Sequence, residues 1–293
     1  MQTSRRSILK GSILASLAGT MGATAMSASA AEKQAALPKK EYDLVICGLG
    51  IGGIVTAIRA AQDGLKPVIL EKMSSASGNT IYSAGFMLGV NTKMQQEKKL
   101  ETGDTVDKFY EDMMKVSQGR GDPKLTRLVA EKADETLNWL HDYVGVKYAV
   151  GMKLVWPMLQ RAHLTIGEKK PGGTQLMLYL LAKAKELNVP IVYNAKAVEL
   201  LDNPQNGKVI GVKVKSKEGF EEYFGKYGVV MATGGFSANK MMLTMMAGVP
   251  AANMPVRGSH SVTGESILLT GPYFPKVVNV DQRSEERRVG KEC

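Results

Sequence analysis

Read for its apolar and polar positions alone, the chain alternates short apolar runs with longer stretches in which apolar residues recur every three or four positions. That is the pattern of strands alternating with helices. The first unit opens at Leu44, Val45, Ile46 and Cys47, a continuous apolar run that predicts a strand buried on both faces of a parallel sheet. Ile54, Ala57, Ile58 and Ala61 then recur at helical spacing, Gly64 stops that helix, and residues 67–70 read as a second strand. Residues 105–116 predict another helix. A further one starts at Asp122 as N-cap with Pro123 in its first turn. It carries Leu125, Leu128, Val129, Ala133, Leu137, Leu140 and Val144 as an apolar stripe and ends at Gly145. Residues 148–173 show little periodicity. Beyond them the pattern gives a helix over 174–187, strands over 191–193, 197–201 and 209–214, and a buried strand running from Gly228 towards Ala232. Met241, Met242, Met245 and Met246 fall on one helix, where core filling is expected because thioether chains pack into irregular gaps.

The junction between the first strand and its helix carries glycine at a telling spacing. Gly48, Gly50 and Gly53 form G-x-G-x-x-G, with Gly52 beside them. In that pattern the first glycine permits the strand-to-helix turn, the second lets backbone approach a pyrophosphate, and the third lets helix and strand pack closely. The helix N-terminus offers unpaired N–H groups and a partial positive charge to the phosphates. Glu71 closes the second strand 18 residues after Gly53, where a carboxylate accepts bonds from ribose hydroxyls. The fold class is therefore α/β, a Rossmann-like dinucleotide-binding domain with a parallel central sheet and an inserted helical and β segment. The glycines alone leave NAD and FAD both open.

The two ends of the chain change the composition argument. Residues 4–10, SRRSILK, resemble a twin-arginine export signal, followed by a weakly apolar stretch and the A-x-A site at Ala28, Ser29 and Ala30. That stretch is short of the roughly 20 residues a membrane span needs, so a removable signal at 1–30 and a periplasmic mature protein are expected. A linker is expected at 31–41 and a dinucleotide-binding domain at 42–282. Residues 283–293, RSEERRVGKEC, are a polar tail resembling translated sequencing adapter, which implies a fragment lacking a substrate-capping domain. The signal holds three net positive charges and the tail one, so the +10 of the whole chain becomes +6 over residues 31–282. No basic run interleaved with aromatics suggests nucleic acid. Cys47 is the one cysteine outside the tail, so residues 31–282 offer no disulfide, zinc cluster or C-x-x-C-H haem site.

Downstream motifs carry a family resemblance. After Glu71 and Lys72 comes a small polar loop ending in Gly78, Asn79 and Thr80, then Ala84 and Gly85. Later, Ala232, Thr233, Gly234, Gly235 and Phe236 follow the buried strand, and Thr263, Gly264, Glu265 and Ser266 form T-G-E-S. This set resembles the fumarate reductase/succinate dehydrogenase flavoprotein family, in its soluble branch. Ser77, Phe86, Glu265 and Ser266 depart from the family pattern. The resemblance implies FAD held by Gly48, Gly50, Gly52, Gly53, Glu71, Lys72, Asn79, Thr80, Ala84, Gly85, Val198, Ala232, Thr233, Gly234 and Glu265. Asn79 stands where membrane-bound members carry a histidine tethered to FAD, which implies non-covalent FAD. Residues 277–282 correspond to the strand before the family's substrate domain. Arg161 and His163 match an R-x-H that sits beneath the flavin, with a structural role equally open; His141 reads as structural.

The implied activity is hydride transfer to an activated C=C bond of an unsaturated carboxylate such as fumarate or urocanate. Electrons would come from a c-type cytochrome or another donor on a separate chain. The family's catalytic histidines, Thr-Glu pair and arginines lie downstream, so no catalytic residue is assigned. A flavin-dependent 3-ketosteroid dehydrogenase is the enzyme alternative. An inert FAD-binding module is the other, should the chain end at Cys293.

Overall fold

The computed structural model describes residues 37–100, 103–168 and 171–280. The segment expected to be a signal at 1–30 and the tail at 283–293 lie outside the described residues, as does most of the expected linker. The chain opens with β1 (Lys39–Tyr42), β2 (Leu44–Cys47), α1 (Ile51–Gln62) and β3 (Pro67–Leu70). A 3-10 turn at Asn79–Tyr82 leads to β4 (Phe86–Leu88), α2 (Lys93–Glu97), α3 (Val106–Val116) and α4 (Pro123–Trp139). Helix α4 runs into a π turn at Leu140–Val144 that Gly145 closes at φ +86°. Next come β5 (Lys147–Ala149), β6 (Ala162–Ile166), α5 (Gly173–Glu186), β7 (Ile191–Val192), β8 (Lys196–Asp202), β9 (Val209–Lys215) and β10 (Phe220–Gly225). Strand β11 (Val229–Met231), α6 (Lys240–Ala247), α7 (Val249–Ala252) and α8 (Glu265–Thr270) complete the order.

The continuous apolar runs are explained by burial on two faces. Strands β11-β2-β3-β7 form a parallel sheet. Ile46 and Ile69 pack on the helical side with Ile54 and Ile58 of α1 and Leu176 and Leu180 of α5. Val45 and Val68 point the other way, onto Val212, Val214 and Tyr223 of the sheet β1-β10-β9-β8. All of these apolar side chains are at most 2% exposed. Burial of such side chains stabilises the fold by about 1.5–3 kcal/mol each. The helix ends also agree with the sequence. The Asp122 carboxylate accepts from the backbone N–H groups of Lys124 and Leu125 at 2.9 and 3.0 Å, and Thr105 Oγ1 accepts from Lys108 N at 3.1 Å.

Elsewhere the structure departs from the pattern. Strand β1 begins inside the expected linker: its sequence, Lys-Lys-Glu-Tyr, has no apolar run because it is an edge strand paired in parallel with β10. Strand β10 was hidden by its two glutamates, one of which, Glu221, bonds Lys40 at 3.0 Å. On α4 the stripe is buried only from its middle onward, with Leu137, Leu140 and Val144 packed but Leu125, Leu128 and Val129 exposed. Its first half meets α3 through Ala130 and Phe109 instead. Met242 fills the core as expected, whereas Met241 and Met245 are 69% and 75% exposed on the outer face of α6. Residues 277–280 form no strand, and 281–282 lie outside the described residues.

The aperiodic stretch 148–173 contains β6 and all but the first residue of β5, and these strands join β4 in an antiparallel sheet. Its inward positions include His163 and Thr165, polar residues that mask the alternation. His163 is fully buried; a carbonyl only accepts, so its Nδ1–H donates to Arg161 O at 2.8 Å, and Nε2 lies 2.7 Å from the Thr92 hydroxyl. Burial pushes the His163 pKa below the ordinary value, against a smaller upward pull from backbone carbonyls. The unfolded chain binds a proton near pH 6.5 and the folded chain does not, so stability is full above that pH and falls as pH drops towards the depressed folded value. Urea unfolding should show a loss of at most about 1.4 kcal/mol per pH unit below pH 6.5. His163→Gln should flatten that slope. The other histidine in this region, His141, is also structural: its Nδ1 lies 2.9 Å from Val146 O, tying down the π turn.

Candidate cofactor-binding site

The carboxyl ends of β2, β3 and β11 open onto a cleft of about 420 Å³. The glycines at its floor divide into two kinds. Gly48 adopts φ +109°, and a Cβ on it would sit 2.4 Å from Ala232 O; one on Gly53 would sit 2.0 Å from Gly48 O. These two are required by the fold itself, one by the turn and the other by the closeness of α1 to its strand. Gly50 and Gly52 are different. Gly50 has an ordinary extended conformation, φ −76° and ψ 177°, and its nearest neighbour to a built Cβ is Thr80 Oγ1 at 3.8 Å. A Cβ on Gly52 would meet nothing within 4 Å. The fold makes no demand for glycine at either place, and the space in front of them is at the N-terminus of α1, where a phosphate is favoured.

Side chains fix this floor. Glu71 is buried, and its two carboxylate oxygens accept from the backbone N–H groups of Leu49 and Met73, each at 2.9 Å. It thereby ties the glycine loop to the end of β3. Thr80 Oγ1 accepts from Ile51 N at 3.0 Å, serving one of the orphan donors at the start of α1. Cys47 lines the cleft as a buried thiol whose pKa desolvation pushes up to about 12, so it is no nucleophile.

The opposite wall comes from residues 261–266. Lys72 Nζ lies 2.6 Å from Glu265 Oε1 and donates to Thr263 Oγ1 at 2.9 Å. Burial raises the Glu265 pKa, but the hydrogen bonds from Lys72 and Thr263 together outweigh it and hold the carboxyl below its ordinary value. Among the described residues Glu265 Oε2 is buried and has no hydrogen-bond partner, an acceptor left for a ligand hydroxyl on a residue that lines the cleft. Thr233 and Ser266 hydroxyls meet at 2.6 Å beside it.

Of the residues singled out in the sequence, Gly48, Gly50, Gly52, Glu71, Lys72, Asn79, Thr80, Ala232, Thr233, Gly234 and Glu265 line this one cleft. Gly53 lies just behind it. Ala84, Gly85 and Val198 do not line it. Gly85 packs against protein: a Cβ there would sit 2.3 Å from Gly172 Cα. Val198 sits at a register irregularity of β8, and the cleft is lined instead by Ala195, Lys196 and Ala197. Two small residues two apart, Ala195 and Ala197, were the signal for that wall. Ser261 and Val262 also line it and carried no motif. Arg161 and His163 lie outside the lining. Arg161 is 1% exposed and bonds Asp104 (Nη2 to Oδ1) and Asp112 (Nη1 to Oδ2), each at 2.8 Å. Among the described residues no group of acids, histidines and cysteines is placed to hold a metal ion, and no helix is long and apolar enough to cross a membrane.

The chain matches the sequence model of the FAD binding domain over residues 43–270. It is 32% identical over 210 residues to a urocanate reductase of Eggerthella lenta, covering 69% of this chain and 33% of that protein. It superposes on the open conformation of a flavocytochrome c3 fumarate reductase with a TM-score of 0.73 at 25% identity, covering 92% of this chain and 43% of that one. The likeness to a 3-ketosteroid-Δ4-(5α)-dehydrogenase of Rhodococcus jostii RHA1 has the same TM-score and identity, covering 84% of this chain and 58% of that one. The chain thus spans less than two thirds of the length of each of these proteins.

Proposed function

The chain belongs to the FAD binding domain family, and from that premise we propose that it is the cofactor-holding part of an oxidoreductase that reduces the C=C bond of an unsaturated carboxylate. The observation that carries the cofactor assignment is the pair Gly50 and Gly52, glycines that the fold does not require, facing open space at a helix N-terminus. In this reading the pyrophosphate lies over them, and Glu71, already held by two backbone N–H groups, accepts from a ribose hydroxyl with its remaining lone pairs. Ala195 and Ala197 leave room for the adenine end. Glu265 Oε2 accepts from a hydroxyl of the ribityl chain, with Lys72 keeping the carboxylate charged. Asn79 offers no tethering atom, so the cofactor is held without a covalent bond. Bound FAD supplies the two-electron chemistry; the residues named here bind and orient it.

The carboxylate substrate class is supported by the likeness to urocanate and fumarate reductases. The equal likeness to a ketosteroid dehydrogenase favours a second reading, oxidation or reduction of a steroid ring. Resequencing the gene through the Gln282 codon with long reads separates these. A continuing frame rich in histidine and arginine, with a Thr-Glu pair, supports the carboxylate; an apolar, tyrosine-bearing segment supports the steroid; an immediate stop leaves a binding module. The motif at residues 4–10 supports delivery to the periplasm, where a c-type cytochrome or similar donor would supply electrons. Export of a reporter fused to residues 1–40 should stop when Arg5 and Arg6 are both changed to lysine.

A further inference from the structure

Asn79 lines the cleft, yet its side-chain oxygen is committed to protein. Its Oδ1 accepts the backbone N–H of Ser259 at 2.8 Å, joining positions 180 residues apart. Gly258 approaches the same amide so closely that a Cβ there would lie 2.5 Å from Oδ1. Ser259 is 3% exposed, and its hydroxyl anchors the next turn of the loop: it accepts from Ser261 N at 3.1 Å and meets the Ser261 hydroxyl at 2.7 Å. Ser261 and Val262 then form part of the cleft wall. A second, longer tie, from Ser261 Oγ to Ser77 O at 3.4 Å, runs between the same two segments.

We propose that Asn79 is a positioning residue whose amide oxygen holds the loop 258–262 in place as the far wall of the cleft. This deepens the cofactor reading above and rests on it for its purpose. The bond itself is a property of the protein. An asparagine at 79 acts here as an acceptor of a backbone N–H, and glycine at 258 is what lets the loop come near enough. A role as a hydrogen-bond donor to the cofactor through Nδ2 makes the opposite demand on the side chain. Aspartate keeps the acceptor and loses the donor; alanine loses both.

The test is hydrogen exchange, read by mass spectrometry, of the peptide containing Ser259 in the full chain without FAD. Wild type and Asn79→Asp should protect that amide alike. Asn79→Ala should exchange it about fivefold faster, the worth of one net hydrogen bond. Equal exchange in wild type and Asn79→Ala, or loss of protection in Asn79→Asp as complete as in Asn79→Ala, would overturn the proposal. Because no FAD is present, a chain that binds no flavin would defeat the cofactor reading and leave this result standing.

Discussion

Gly48→Ala is expected to destabilise the chain by about 3 kcal/mol or more, enough to leave it largely unfolded at ordinary temperatures. Two costs act together. The residue sits at φ +109°, a conformation that L side chains avoid, and its new methyl carbon would stand 2.4 Å from the carbonyl oxygen of Ala232. That oxygen belongs to the segment leaving β11, whose strand is paired to β2, and Ala232 N itself bonds Cys47 O at 2.8 Å. The clash therefore has no flexible side chain to absorb it, and relief requires the central strands to part. Thermal unfolding monitored by circular dichroism should find a cooperative transition in wild type and none, or one far lower, in the variant. An unchanged melting temperature would show that the turn does not have the geometry described.

Arg161→Leu is expected to cost about 3–5 kcal/mol, the penalty for removing one partner of a buried ion cluster. The guanidinium is almost wholly inside the protein, forked onto Asp104 and reaching Asp112, with the Phe109 ring 5.0 Å from its centre. It connects the loop before α3, helix α3 itself and the start of β6. Leucine fills similar space but leaves two carboxylates without their shared cation. Chemical denaturation should show a large fall in midpoint, whereas flavin binding by the fraction still folded should change little, since Arg161 lies outside the cleft. A variant that keeps its stability and loses flavin would instead place Arg161 at the cofactor.

The parallel sheet, α1 and the glycine floor were legible in the sequence because each is written in short range. A four-residue apolar run bounded by glycine has few other ways to be buried, and the spacing of Gly48, Gly50 and Gly53 encodes a local turn. The elements that were not legible depend on distant partners. Strand β1 exists through its pairing with β10, some 180 residues away, and its own sequence is polar. Strand β6 carries His163 and Thr165 on its inner face, and the imidazole is accommodated there by its bonds to Thr92 and Arg161. The resemblance marks Ala84 and Gly85 as FAD contacts, but it carries no hint that Gly172 of the turn before α5 also packs against Gly85. Val198 stands directly after the lining residues Ala195, Lys196 and Ala197, at a register irregularity of β8 that no local pattern announces. The methionines of α6 show the same limit, as helical spacing alone does not say which neighbours arrive to cover a face.

FAD is expected to occupy the cleft over Gly50, and the direct test is a titration of the purified full chain with FAD, read by flavin fluorescence, beside the same titration of Gly50→Val. The first side-chain carbon at 50 has Thr80 Oγ1 at 3.8 Å as its nearest contact and the position needs no unusual backbone angle, so the variant is expected to fold, which its melting curve checks. The predicted result is saturable binding of one FAD per chain by wild type and a loss of at least about a hundredfold in affinity in the variant, roughly 2.7 kcal/mol. Equal affinity in the two proteins, or no saturable binding by a folded wild-type chain, would contradict it.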